Sequence, residues 1–117
     1  MTATVLIVDD SLFMRTLLRR ILLKNGYQIV GEAASGSETI DLLKKLSPDI
    51  VMLDIILPDI NGLDLIASIQ SKSPASKIVI CSAIGQEPVI RQAMENGAQA
   101  YLQKPFTPEQ VVEAINI

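Results

Sequence analysis

Ile50-Val51-Met52-Leu53-Asp54 is an unbroken apolar run that stops on a carboxylate, and its reading decides the fold. A strand wet on one side alternates apolar and polar residues, whereas this run does not, so it reads as a strand buried on both faces of a parallel sheet. The same pattern recurs on either side. Val5 to Val8 stops at Asp9-Asp10, Ile78 to Cys81 stops at Ser82, and Ala100 to Leu102 precedes Lys104. Tyr27 to Ala33, broken by Gly31 and more polar, reads as an edge strand.

Between these runs the apolar residues recur at three- and four-residue spacing. Phe13, Met14, Leu17, Leu18, Ile21 and Leu22 form a helical stripe expected to face the core, with Gly26 just past its end as a left-handed cap. Ser35 and Glu38 are spaced as a capping box opening a helix through Ile40, Leu43 and Leu46, stopped at Ser47-Pro48. Pro58 and Gly62 lie in a loop and helix start before Leu65, Ile66 and Ile69. A helix around Val89 to Asn96 is capped by Gly97. Thr107 to Gln110 is a second capping box, with Pro108 at the first helical position. Five β-α units with short connections imply an α/β fold, a parallel sheet covered on both faces by right-handed crossovers.

Composition narrows the chemistry. The 117 residues suit one domain, and 49% are hydrophobic with very few aromatics, so the core is aliphatic. The net charge of −3 gives no basic face for nucleic acid. The single cysteine, Cys81, excludes an internal disulfide and reads as a small core residue. There is no histidine, which removes imidazole bases and imidazole metal ligands. No apolar stretch reaches membrane-spanning length and the first residues lead straight into a strand, so a cytoplasmic protein without membrane insertion is expected.

Ligands of open parallel sheets bind beyond the carboxyl ends of the strands, near the point where strand order reverses. There this chain carries Asp9, Asp10, Asp54, Ser82 and Lys104, delivered by four different strand ends. The second strand brings nothing similar. Two carboxylates about 4 Å apart repel by roughly 4 kcal/mol at an effective dielectric near 20, so three together raise one another's pKa values unless a cation is present. An all-oxygen donor set suits Mg²⁺, with Mn²⁺ or Ca²⁺ as alternatives, and Mg²⁺ leaves coordination positions for phosphate oxygens. Lys104 and Ser82 would supply a point charge and a donor to those oxygens. A carboxylate nucleophile beside a metal and a lysine is an arrangement for acyl-phosphate formation. Each residue alone has a plainer reading. Asp9-Asp10 serves equally as a helix cap, Asp54 as a solvated strand-end acid, Ser82 as a turn hydroxyl, Lys104 as a surface charge and Tyr101 as a half-buried strand aromatic.

With these residues in hand, the segments LIVDDSLFMR (6–15), DIVMLDIILPDINGLDLI (49–66) and YLQKPF (101–106) closely resemble the response-regulator receiver family. They look most like its single-domain chemotaxis regulators of the CheY type. The resemblance spans essentially the whole chain and implies a doubly wound, flavodoxin-like sheet of order 2-1-3-4-5, with residues 1–117 as one receiver domain. It implies that Asp54 is the phospho-acceptor. Asp10, Asp54 and the backbone carbonyl of Ile56 would ligate Mg²⁺, with Asp9 acting through water. Lys104 would pair with a phosphate oxygen and precede a cis bond to Pro105. Ser82 and Tyr101 would form the switch, read on a face made by Pro88 to Asn96, Ala100 to Leu102 and Thr107 to Ile117.

The resemblance further implies a histidine kinase as phosphoryl donor and a protein target, a motor switch or phosphatase in a chemotaxis system. It implies no nucleic-acid binding by the domain itself, and no enzymatic activity beyond its own phosphorylation and dephosphorylation. Ile56 and Ile84, two residues past Asp54 and Ser82, are expected to flank the path of attacking water and slow hydrolysis. The alternatives are the amino-terminal receiver of a longer regulator, a flavin-binding domain, which Asp9-Asp10 would disfavour by repelling the flavin phosphate, and a free-standing aspartyl-phosphate phosphatase.

Overall fold

The computed structural model describes residues 2–116. Five strands and five helices alternate: β1 (Thr4–Val8), α1 (Leu12–Lys24), β2 (Gln28–Ala33), α2 (Gly36–Leu43), β3 (Ile50–Asp54), α3 (Gly62–Lys72), β4 (Lys77–Ser82), α4 (Glu87–Glu95), β5 (Ala100–Gln103) and α5 (Pro108–Ile115). The strands pair in parallel in the order β2-β1-β3-β4-β5. The sheet order and fold class expected from the sequence are therefore found.

Strand pleating divides the core in two. Val5, Ile7, Met52 and Val79 point to the face covered by α1 and α5, where Leu18, Leu22, Val111 and Ile115 meet them. Leu6, Val8, Leu53 and Ile80 point to the other face, against Leu43, Leu65, Ile66, Ile69 and Ala93 of α2, α3 and α4. All five residues of β3 are buried, which is why its sequence does not alternate.

Helix ends follow the caps with two exceptions, the first being that α2 ends at Leu43 and not at the expected Leu46, because the Lys44 and Lys45 N–H groups turn back to the Asp41 and Leu42 carbonyls three residues earlier. Thr107 and Gln110 make the reciprocal capping box. Ser35 accepts from the Glu38 N–H, but the Glu38 carboxylate accepts from the Ala34 N–H instead of closing the box on Ser35. Gly26 and Gly97 have φ of 88° and 111°, the left-handed region expected past a helix end. The stripe on α1 needs a correction. Leu18, Ile21 and Leu22 are buried, but Phe13, in the first turn of α1, is 74% exposed. The last helix ends at Ile115, and Ile117 of the expected output face lies outside the described residues.

The loop leaving β3 is held tightly. Ile56 and Asn61 form an isolated antiparallel bridge, and the Asp59 carboxylate accepts from the Gly36 and Ser37 N–H groups at the start of α2. Those two bonds hold the Asp59 carboxyl below the usual carboxylate range. At Gly62 a Cβ would run into the Ile55 carbonyl oxygen, a backbone atom that cannot swing away. Gly62→Ala is therefore expected to destabilise the fold by about 1–3 kcal/mol, read as a lower urea midpoint with unchanged slope.

Candidate phosphoryl-acceptor site

The carboxyl ends of β1, β3, β4 and β5 converge through register. Val8 lies opposite Leu53, Asp54 opposite Cys81, and Ser82 opposite Gln103, so the residues that follow sit side by side. Asp9, Asp10 and Asp54 each offer an oxygen within 4.8 Å of the others. The Lys104 ammonium bridges two of them, donating to Asp9 Oδ2 at 2.9 Å and to Asp54 Oδ2 at 3.3 Å. Its backbone N–H donates to the Ser82 carbonyl at 2.7 Å, and the Lys104–Pro105 bond is cis as the resemblance implied.

The three acids differ in how they are held. Asp9 is 1% exposed, and its second oxygen, Oδ1, accepts from the Ser11 N–H at 2.9 Å. Asp54 is also buried, and its Oδ1 accepts from the Ile56 N–H at 3.1 Å, so the turn draws the Ile56 peptide to the carboxylate. Asp10 is exposed, and no partner engages its carboxylate among the described residues. An all-oxygen cluster with one acid free of protein partners fits a hard divalent cation.

Charge and burial set the protonation. Burial pushes the Asp54 carboxyl above its ordinary value, and Asp9 adds to this, against the Ile56 N–H and Lys104, which favour the ionised form. Burial pulls Lys104 down, but its hydrogen bond to Asp9 and the charges of Asp54 and Asp9 outweigh that and raise it. Cys81, buried beneath the site, is pushed up to about 12 by burial, as suits a core residue and not a nucleophile.

Ser82 Oγ is fully buried at the end of β4 and has no hydrogen-bond partner among the described residues. A buried hydroxyl left so costs about 1–3 kcal/mol, a cost a ligand oxygen can remove. Tyr101 is 54% exposed on β5, where it borders the groove formed with Ile90, Arg91 and Met94 of α4. Ile56 and Ile84 are both exposed, in the loops after β3 and β4.

Two residues of this neighbourhood escape a reading of strand ends. Arg15 of α1 donates through Nη1 to the Asp9 carbonyl at 2.7 Å, and through Nε to Glu32 at 3.2 Å. Among the described residues the edge strand β2 brings no side chain to the carboxylate cluster, as expected, and acts one contact removed, through Glu32. The available signal was Arg15 itself, a charge at helical spacing from Leu18 and Leu22 on the buried face of α1, which requires a partner.

The profile of the response regulator receiver domain matches residues 5–116, and the chain belongs to that family. It is a receiver domain of the kind found in chemotaxis regulators. It is 47% identical to the chemotaxis protein CheY of Thermotoga maritima, over 96% of this chain and 93% of the relative. The corresponding protein of Bacillus subtilis is 39% identical over 99% of this chain and 97% of its own. Among solved structures, the chemotaxis response regulator CheY4 of Vibrio cholerae superposes with a TM-score of 0.87 at 27% identity, covering 99% of this chain and 98% of that one. No helix among the described residues is long and apolar enough to cross a membrane.

Proposed function

We propose that Asp54 accepts a phosphoryl group from a histidine kinase, with Mg²⁺ held by Asp10, Asp54 and the Ile56 carbonyl and steadied by Asp9 through water. The observation that carries this is the Lys104 ammonium bridging Asp9 and Asp54 inside the three-carboxylate cluster. An Asp54 oxygen attacks phosphorus, the O–P bond forms as the donor's N–P bond breaks, and the departing imidazole takes up a proton. Mg²⁺, when bound, offsets the charge of the carboxylates and of the phosphoryl oxygens. Asp10, whose carboxylate no protein group engages among the described residues, suits a direct role.

Once the group is on Asp54, Lys104 pairs with one of its oxygens and the orphan Ser82 hydroxyl donates to another. Ser82 drawn inward leaves space for Tyr101 to turn in from its exposed position. That reshapes the groove beside α4 and the face shared with β5 and α5, where a protein target binds. In a chemotaxis system that target is a motor switch or a phosphatase. Exposed Leu12 and Phe13 at the start of α1, with Ile56 and Ile84 in the loops after β3 and β4, follow the strand ends that carry the site and give a donor protein apolar contact. Residues 1–117 act as one receiver domain in the cytoplasm, with no catalysis beyond this phosphoryl cycle.

Acetyl phosphate tests the reading directly. The protein is expected to gain one phosphoryl group by mass spectrometry in the presence of Mg²⁺ and none after chelation. Equal labelling in both conditions would defeat the proposal. The branched chains of Ile56 and Ile84 obstruct water near the acyl phosphate. Ile56→Asn and Ile84→Glu are each expected to shorten the phosphoryl lifetime at least about threefold, a barrier change of roughly 0.7 kcal/mol or more. Lifetimes that stay the same or lengthen would remove these side chains from the account.

A further inference from the structure

Every polar atom of Asp9 is engaged, and each by a different element. Its N–H donates to the Ala33 carbonyl of β2 at 3.0 Å, its Oδ1 accepts from the Ser11 N–H at 2.9 Å, and its Oδ2 accepts from Lys104 at 2.9 Å. Its carbonyl oxygen accepts from Arg15 Nη1 at 2.7 Å. The guanidinium is itself fixed, with Nε 3.2 Å from Glu32 Oε1, while the other Glu32 oxygen lies 3.3 Å from Arg19 Nη1. Arg15 and Glu32 are largely covered, with side chains 15% and 24% exposed.

The carbonyl of Asp9 and the Cα of Asp10 belong to one planar peptide unit. Holding that oxygen fixes the plane and so fixes where the Asp10 side chain starts. This matters because Asp10 is the one acid of the cluster whose carboxylate no protein group holds among the described residues.

We propose that Arg15, locked by Glu32, is a positioning residue that sets the Asp9–Asp10 peptide and thereby aims the Asp10 carboxylate at the cation. The inference rests on the metal-binding reading above. A guanidinium suits the task because its planar fork serves Glu32 and the carbonyl together, which a lysine ammonium cannot do in one fixed geometry. Glu32 holds Arg15 through one oxygen and Arg19 through the other, so its carboxylate is fixed from both sides.

The test is Mg²⁺ affinity by calorimetry for wild type, Arg15→Ala, Arg15→Lys, Glu32→Ala and the Arg15→Ala/Glu32→Ala double variant. Groups that orient metal ligands typically account for about 10–100-fold in affinity, so Arg15→Ala is expected to weaken Mg²⁺ binding about tenfold. Arg15→Lys is expected to recover part of that loss. The double variant should bind no more weakly than Arg15→Ala, because Glu32 acts through Arg15. Simple charge removal predicts the opposite sign, tighter Mg²⁺ binding in Arg15→Ala. A tie between α1 and β2 with no role at the site predicts a lower urea midpoint with unchanged affinity. Either result would overturn the proposal, and Arg15→Lys supplies the comparison should Arg15→Ala fail to fold. Wild type that binds no Mg²⁺ would instead defeat the functional reading, and this inference with it.

Discussion

Asp54→Asn is expected to take up no phosphoryl group from acetyl phosphate and Mg²⁺, and to flatten the pH dependence of stability in the metal-free protein. The first effect follows from chemistry, since an amide cannot replace the carboxylate oxygen that attacks phosphorus. The second follows from linkage. Burial raises the Asp54 carboxyl above its ordinary value of 3.8, so the native state keeps that proton at pH values where the unfolded chain has released it. A state that binds more protons is favoured by acid. The contribution of Asp54 is therefore fully present below the ordinary carboxylate value and is lost as pH rises through the native one. With asparagine the group no longer titrates and this decline disappears. Urea midpoints against pH in chelator, for both proteins, measure it. Parallel curves would show that Asp54 ionises as freely in the fold as in the unfolded chain.

The second large effect is expected at Lys104. Its ammonium is the only cation hydrogen-bonded to the carboxylate cluster among the described residues, and it touches Asp9, whose side chain is almost wholly buried. Removing one partner of such a pair strands the other charge, so Lys104→Ala should destabilise the metal-free protein by about 3 kcal/mol. Lys104 is partly exposed, which keeps the expectation at the low end of that range. Mg²⁺ and the ammonium compete for the same carboxylates, so the variant should bind Mg²⁺ more tightly than wild type and regain part of its lost stability when the ion is added. Urea unfolding with and without Mg²⁺ reads both effects. A variant as stable as wild type in chelator would contradict the role given to the bridge.

What could be read in the chain was whatever the local pattern encodes. Strand runs that end abruptly on Asp9, Asp54 and Ser82 carry both the fold and the site, because in a parallel sheet every strand delivers its carboxyl end to the same edge. Burial of Cys81 and the left-handed caps at Gly26 and Gly97 follow equally from short-range rules. Phe13 did not, because helical period identifies a face but not how far along the helix that face is covered. Glu38 did not either: its spacing from Ser35 fits a capping box, yet the carboxylate reaches one residue farther back, to Ala34. The link from Glu32 through Arg15 to Asp9 joins an edge strand, a helix and a loop. No periodicity specifies such a contact, since it depends on how far α1 leans over β2.

The account rests on one divalent cation and the Asp54 carboxylate sharing the pocket made by the strand ends. The measurement closest to that claim is a Mg²⁺ titration of isotopically labelled protein followed amide by amide. The account predicts saturable shifts centred on Asp9, Asp10, Asp54, Ile56 and Lys104, with affinity sharply reduced in Asp10→Asn. Absence of saturation, or an unchanged titration in Asp10→Asn with shifts elsewhere on the surface, would contradict it.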